Sequence, residues 1–197
     1  MKKTNILPDW RETLRTFQPG DAREEEELRI MRLLLEREGD GLLERANGFA
    51  HFTSSSVILN PDRTRTLMAF HRIYRSWAWS GGHADGVRFP EEVARKEAQE
   101  ETGIRDLTRI GPGAMSVEIL PVWAHVRRGK TVGSHLHLNV SYLFEADDTL
   151  PLHTAPAENT AVEWLPVEKL GTYVSEPDML PIYERLINRA NNWQILL

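Results

Sequence analysis

FPEEVARKEAQEETGI, residues 89–104, is the segment around which the rest of the chain can be ordered. Pro90 at a first helical position and Gly103 just past a last one predict a short helix over Pro90–Thr102, marked at both ends. Within it Glu97, Glu100 and Glu101 recur at i, i+3 and i+4, so the three carboxylates fall on one helical face. They also sit in the last turns, where the helix dipole is negative and cations are preferred. At about 5.5 Å and an effective dielectric near 20, each like-charge pair repels by roughly 3 kcal/mol before screening. A divalent cation reverses that sign, and carboxylate-only ligands select Mg²⁺ or Mn²⁺. The plainer reading is a solvated helix stitched by Glu91–Arg95, Glu92–Lys96 and Lys96–Glu100 pairs. That reading covers the first two turns but not the acids at the wrong pole or the glycine-rich stretch 81–86 upstream.

Outward from this helix the periodicity is that of strands. SSSVIL and TRTLMAFHRI read as a hairpin around Asn60-Pro61-Asp62. MSVEILPVWAHV and HLHLNVSYLFEA read as two long strands flanking the turn Arg127-Arg128-Gly129-Lys130, whose charges suit a solvated tip. AVEWLP adds a strand, and a last helix is expected near 177–191. Residues 1–48 read as a helical extension preceding a domain over 49–197, with Asp21 and Glu24 as a capping box. Leu28, Met31 and Leu35 form an apolar stripe that either the following domain or a homodimer partner would cover. Strands in the middle, helices at the ends and one enclosed helix imply an α/β sandwich with a mixed sheet.

Composition limits the function. The 197 residues are 41% hydrophobic and 27% charged, which is ordinary for a folded domain. A net charge of −5 argues against a partner that is a nucleic acid polymer, though not against a small phosphorylated molecule met at a local cationic patch. Zero cysteines exclude disulfides, thiolate metal sites and cysteine nucleophiles. MKKTNILPDWRETLR has no apolar core of a signal peptide, and no window approaches the roughly 20 apolar residues of a membrane span. The expectation is a cytoplasmic protein with no membrane partner.

Gly82 to Ile104 resembles the Nudix box, G-x5-E-x7-R-E-U-x-E-E-x-G-U with U aliphatic. Gly82, Glu97, Ala98, Glu100, Glu101, Gly103 and Ile104 stand on matching positions, and Trp77 precedes the double glycine as in many members. Arg88 replaces the first Glu and Lys96 the Arg. GGHADG, with HFTSSS before it and HLHLN after it, is similar to a bacterial subgroup of the family. The resemblance implies a Nudix-like α/β/α sandwich and hydrolysis of a diphosphate linkage in a nucleoside diphosphate derivative or related organic diphosphate. It also implies that Glu97, Glu100 and Glu101 bind the divalent ions, Mg²⁺ or Mn²⁺. Such ions neutralise phosphate oxygens, position the diphosphate and lower the pKa of a bound water. Lys96 offers a flexible point charge where the family has a planar fork. The competing reading is a non-catalytic Nudix-fold module that binds such a ligand or regulates through it.

Further candidates lie outside the helix. Glu158, in a loop before Trp164, stands where some family members keep an acidic general base; the alternative is an exposed loop carboxylate. Trp77 and Trp79 stand at i and i+2 on an expected strand and so share one face; a core aromatic is the commoner fate, for Trp77 above all, and Trp79 is the candidate to stack on a base. His83 is placed to bond a phosphate or the loop backbone, and Arg72 and Arg75 precede the box as phosphate candidates. Arg88 is read as solvated. His135, His137 and Asn139 alternate along one strand. Without a third ligand in view, His137 is assigned to a substrate-lining face instead of a second metal site.

Overall fold

The computed structural model describes residues 7–127 and 129–193. Helices α1 (Trp10–Thr16) and α2 (Ala22–Glu38) and a 3₁₀ turn at Gly39–Leu43 lead into β1 (Ala50–Leu59), β2 (Arg65–His71), β3 (Ser76–Ala78) and β4 (Gly81–His83). Helix α3 (Pro90–Thr102) follows, then β5 (Thr108–Arg109), β6 (Ser116–Val122), β7 (His125–Arg127), β8 (Lys130–Val132), β9 (His135–Glu145) and β10 (Asn159–Pro166). A second 3₁₀ turn, α4 (Leu170–Tyr173) and α5 (Leu180–Asn192) close the chain.

The sheet is mixed. Strands β1 and β9 run parallel at its centre, from Ala50 opposite Leu136 to Leu59 opposite Glu145. Every other pairing is antiparallel: β2 and β4 on β1, β3 and β10 on β2, β5 and β6 on β9. The expected run 115–126 divides into β6 and β7. Pro121 lacks an N–H, which suits an edge strand, and past Val122 the Ala124 N–H goes to the Ser134 hydroxyl in place of a ladder partner. β7 and β8 pair with each other alone, and Arg128 of the expected turn lies outside the described residues.

Alternation along the central strands sends one set of side chains to each layer. Phe52 and Ile58 of β1, with Val140, Tyr142 and Phe144 of β9, share a core with Val93, Ala94 and Ala98 of α3 and with Leu28, Met31 and Leu35 of α2. The stripe on α2 is therefore covered by its own chain. Val57, Leu59 and Leu143 point the other way, onto Tyr183, Leu186 and Ile187 of α5. This is an α/β/α sandwich, with the N-terminal helices continuous with one of its cores: Trp10 stacks on Phe52 at 4.5 Å and donates to the Val87 carbonyl at 2.8 Å.

The two ends of the chain are fastened by buried charge. Asp21 caps α2 by accepting from the Glu24 N–H at 2.9 Å, and Glu24 accepts from the Gly20 N–H at 2.7 Å. Glu24, fully buried, then takes both prongs of the Arg189 guanidinium at 2.8 Å. Arg185 bonds Asp21 and Glu118, each at 2.9 Å. Burial raises the pKa of Glu118, and removing one member of such a pair costs on the order of 3–5 kcal/mol because the other charge is left unpaired. No helix among the described residues is long and apolar enough to cross a membrane.

Candidate active site

Helix α3 begins at Pro90 and ends at Gly103, whose φ of 81° is the left-handed conformation that glycine adopts without cost and whose N–H returns to the Gln99 carbonyl at 3.0 Å. The side chains of Glu97 and Glu101, one turn apart, both turn inward over β4. Glu101 is 6% exposed, and its Oε1 accepts from the Gly81 N–H at 3.1 Å. Glu97 lies directly over Gly82: a Cβ added there would stand 2.6 Å from Glu97 Cγ and Oε1. The double glycine thus admits one carboxylate by lacking a side chain and orients the other with an N–H.

A third carboxylate arrives from the far side. Asn159, at the start of β10, donates to the Glu101 carbonyl at 3.0 Å and accepts from the Ala155 N–H at 3.0 Å. The loop is thereby fastened to the end of α3, and Glu158 is carried to the two helical acids. Oxygens of Glu97, Glu101 and Glu158 lie within 4.8 Å of one another. Burial, with Glu158, Glu97 and Glu100 adding to it against the Gly81 hydrogen bond, pushes the Glu101 carboxyl up to about 8. Glu97 is raised too, first by burial, while Lys96 opposes the shift. An all-oxygen set held this close, one member mostly protonated near neutrality, fits a hard divalent cation whose charge restores ionisation.

Glu100 is not in this group. At about 100° per residue it lies about 60° to one side of Glu97 and about 100° from Glu101, so its side chain runs out to solvent at 58% exposure. Lys96 sits between, 3.3 Å from Glu97 and 3.1 Å from Glu100. Arg88 pairs with Asp40 at 2.9 Å on the surface. Arg72 donates to the Pro156 carbonyl at 2.6 Å, and its N–H bonds the Glu158 carbonyl at 3.1 Å, so it braces the Glu158 loop. Arg75 stands in the β2–β3 turn with φ of 52°.

Trp79 corrects the ligand-facing assignment. Strand β3 stops at Ala78, so the shared face expected for Trp77 and Trp79 is not carried through to Trp79. It is 9% exposed, packs on Tyr183 at 4.3 Å and donates to Thr66 Oγ1 at 2.9 Å, while Trp77 is only partly buried, edge-on to Phe70.

His83 and His137 meet residues that the sequence did not connect with them. Register puts His83 opposite Thr53 and His51 opposite His137, on the sheet face that also carries His135. The His51 ring centroid lies 5.0 Å from His83, 4.8 Å from His135 and 5.0 Å from His137. Burial, helped by the neighbouring His83, His51 and His135, pushes His137 down to about 2, so its imidazole is neutral. His51 Nε2 is buried and has no hydrogen-bond partner among the described residues. Arg45, which sequence reading also passed over, is forked onto Asp85 and feels the charges of Glu97 and Glu158. Its positive charge also adds to the lowering of His51 and His137, which is first an effect of burial.

With this geometry in place, the comparisons define the class. The family model for the NUDIX domain matches residues 50–188, and the chain belongs to the Nudix family. Among solved structures it is similar to RenU, a Nudix hydrolase of M. smegmatis, at 16% identity and TM-score 0.52 over 76% of this chain and 91% of that one. It is similar to the dihydroneopterin triphosphate pyrophosphohydrolase of E. coli at 16% identity and TM-score 0.51, over 70% and 94%. The MutT protein of Methanosarcina mazei Go1 gives 17% identity and TM-score 0.50, over 73% and 96%. These likenesses establish the fold. No curated protein sequence matches the chain.

Proposed function

We propose that this chain is a Mg²⁺-dependent hydrolase that cleaves a diphosphate linkage in a nucleoside diphosphate derivative or a related organic diphosphate, with Mn²⁺ as a substitute ion. The observation that carries the reading is the convergence of Glu97, Glu101 and Glu158 within 4.8 Å, with Glu101 buried and mostly protonated near neutrality. Glu97 and Glu101 are the residues that would hold the ion, with Glu158 beside them; Glu100, more exposed, can reach them only by swinging in past Lys96. When bound, the ion supplies charge neutralisation at the phosphate oxygens and acidifies water. Glu158, the exposed member, takes a proton from the attacking water as its oxygen bonds to phosphorus, the bridging P–O bond breaks and a phosphate group departs. Lys96 is a positioning residue for Glu97, a single ammonium doing less rigidly what a guanidinium fork does. One structural relative is a dihydroneopterin triphosphate pyrophosphohydrolase, which supports an organic phosphate anhydride as the substrate class. We take the cytoplasm as the place of action.

The test is a panel of nucleoside diphosphate derivatives, dinucleoside polyphosphates and other organic diphosphates, assayed with Mg²⁺ or Mn²⁺ and phosphate detection. Metal-dependent turnover of at least one compound is expected, with a loss of about 10³-fold in Glu97→Gln. Binding of the same compounds by calorimetry without hydrolysis under any metal condition would refute the enzyme and leave a ligand-binding module.

A further inference from the structure

The histidine cluster lies on the other side of β4 from the glutamates. Gly82, beneath Glu97, pairs with Ser54, while His83 pairs with Thr53, so successive residues of β4 face opposite layers. We propose that His51, His83 and His137 form a nitrogen-only site for a divalent transition-metal ion of the Zn²⁺ class, distinct from the oxygen site on α3.

Three observations carry it. Ring nitrogens of His51, His83 and His137 lie within 4.8 Å of one another. His51 Nδ1 lies 3.1 Å from the Asn47 carbonyl, which fixes the proton on that nitrogen and leaves Nε2 with its lone pair. That Nε2 is buried in a residue 4% exposed, is ringed by three other imidazoles and has no hydrogen-bond partner among the described residues. A backbone carbonyl behind one nitrogen and an unsatisfied lone pair on the other is how a ligating histidine is held. His135 lies beside the three and outside the ligand set: its Nδ1 is 2.9 Å from the Gly133 carbonyl, and its Nε2 is 3.3 Å from His137 Nε2. Two ligand nitrogens on a tetrahedral ion with Zn–N near 2.05 Å stand about 3.3 Å apart. Modest rotations about the soft χ2 of the rings draw the other nitrogens in. Three protein ligands leave a fourth position for water or a ligand, the arrangement of catalytic zinc sites, not structural ones.

The donor sets also sort the ions. Imidazole selects Zn²⁺, Co²⁺ or Ni²⁺, whereas the carboxylates select Mg²⁺ or Mn²⁺. The two sites are separately testable, because nothing in this proposal depends on hydrolysis.

The experiment uses the full chain, purified without a histidine tag, stripped with chelator and titrated with Co²⁺ and then Zn²⁺ in millimolar Mg²⁺. Expected are one Co²⁺ per chain with the visible bands of a low-coordinate, nitrogen-ligated ion, displacement by one Zn²⁺, and nitrogen scatterers at about 2.0 Å by X-ray absorption. His51→Gln and His137→Gln should each weaken binding about 100-fold, and Glu97→Gln/Glu101→Gln should leave it unchanged. Should a histidine variant fail to fold, the absorption spectrum of the unaltered chain still decides. Oxygen-only ligation, binding lost in the glutamate variant and kept in the histidine variants, or no retention of Zn²⁺ at micromolar concentration would each overturn the proposal.

Discussion

Replacing Glu101 with Gln should uncouple the stability of the metal-free protein from pH. Gln keeps the shape and still presents an oxygen to the Gly81 N–H, so the hydrogen bond at 3.1 Å survives. What disappears is the proton. Glu101 has an ordinary value of 4.5 and rises to about 8 in the fold. Between those values the folded chain holds a proton that the unfolded chain has released, so unfolding loses a proton and stability falls as pH rises. The stabilisation is complete below about pH 4.5 and is lost through pH 8. At 1.36 kcal/mol per unit, with partial titration at each end, the loss from pH 5 to pH 8 comes to roughly 3 kcal/mol. Urea unfolding of both proteins at pH 5 and pH 8, in chelator, should show Glu101→Gln nearly matching the parent at the lower pH and exceeding it by about that amount at the higher. Added Mg²⁺ at pH 8 should stabilise the parent and leave the variant almost unmoved. A variant less stable than the parent at both values, or the same pH slope in both, would refute the account of Glu101 as a buried acid awaiting a cation.

Three further outcomes are expected. Gly82→Ala puts a methyl within 2.6 Å of Glu97 Cγ and Oε1, so turnover should drop about 100-fold while the thermal melt barely moves; equal kcat would mean that Glu97 is not held against the glycine. Asn159→Ala removes the bond to the Glu101 carbonyl and frees the Glu158 loop, costing about 1–3 kcal/mol by denaturant titration and raising the Mg²⁺ concentration needed for half-maximal rate; an unchanged metal requirement would detach Glu158 from the site. Trp79→Phe deletes the bond to Thr66 and should lower stability by about 1–3 kcal/mol with KM unchanged, whereas a KM effect would return the ring to the substrate.

What could be read in advance was local. Pro90, Gly103 and the spacing of the acids specify α3 with no reference to the rest of the chain, as Asp21 and Glu24 do for the start of α2. The division of labour among the acids was not legible. One helical face is broad, and whether its flank meets protein or solvent depends on the loop that Asn159 fastens from 58 residues away. His135 and His137 lacked a third ligand in view because His51 and His83 lie on other strands. Only the parallel register of β1 on β9 and the short pairing of β4 bring the three together. The shared face expected for Trp77 and Trp79 fails because β3 ends at Ala78, one residue short of Trp79.

The clasp of Glu24 by Arg189 also dictates an order of events during synthesis. The two residues are 165 positions apart, so at 5–20 residues per second the ribosome delivers the guanidinium about 10–30 s after the carboxylate. Throughout that interval α2 settling onto the sheet would bury a carboxylate that lacks its guanidinium partner, and Glu118 faces the same wait for Arg185. Helices α1 and α2, translated before the sheet, are therefore among the last of these elements to dock. A nascent chain halted before α5 presents its apolar stripe of Leu28, Met31 and Leu35 to whatever holds unfinished proteins, and release from that custody is set by the arrival of the final helix.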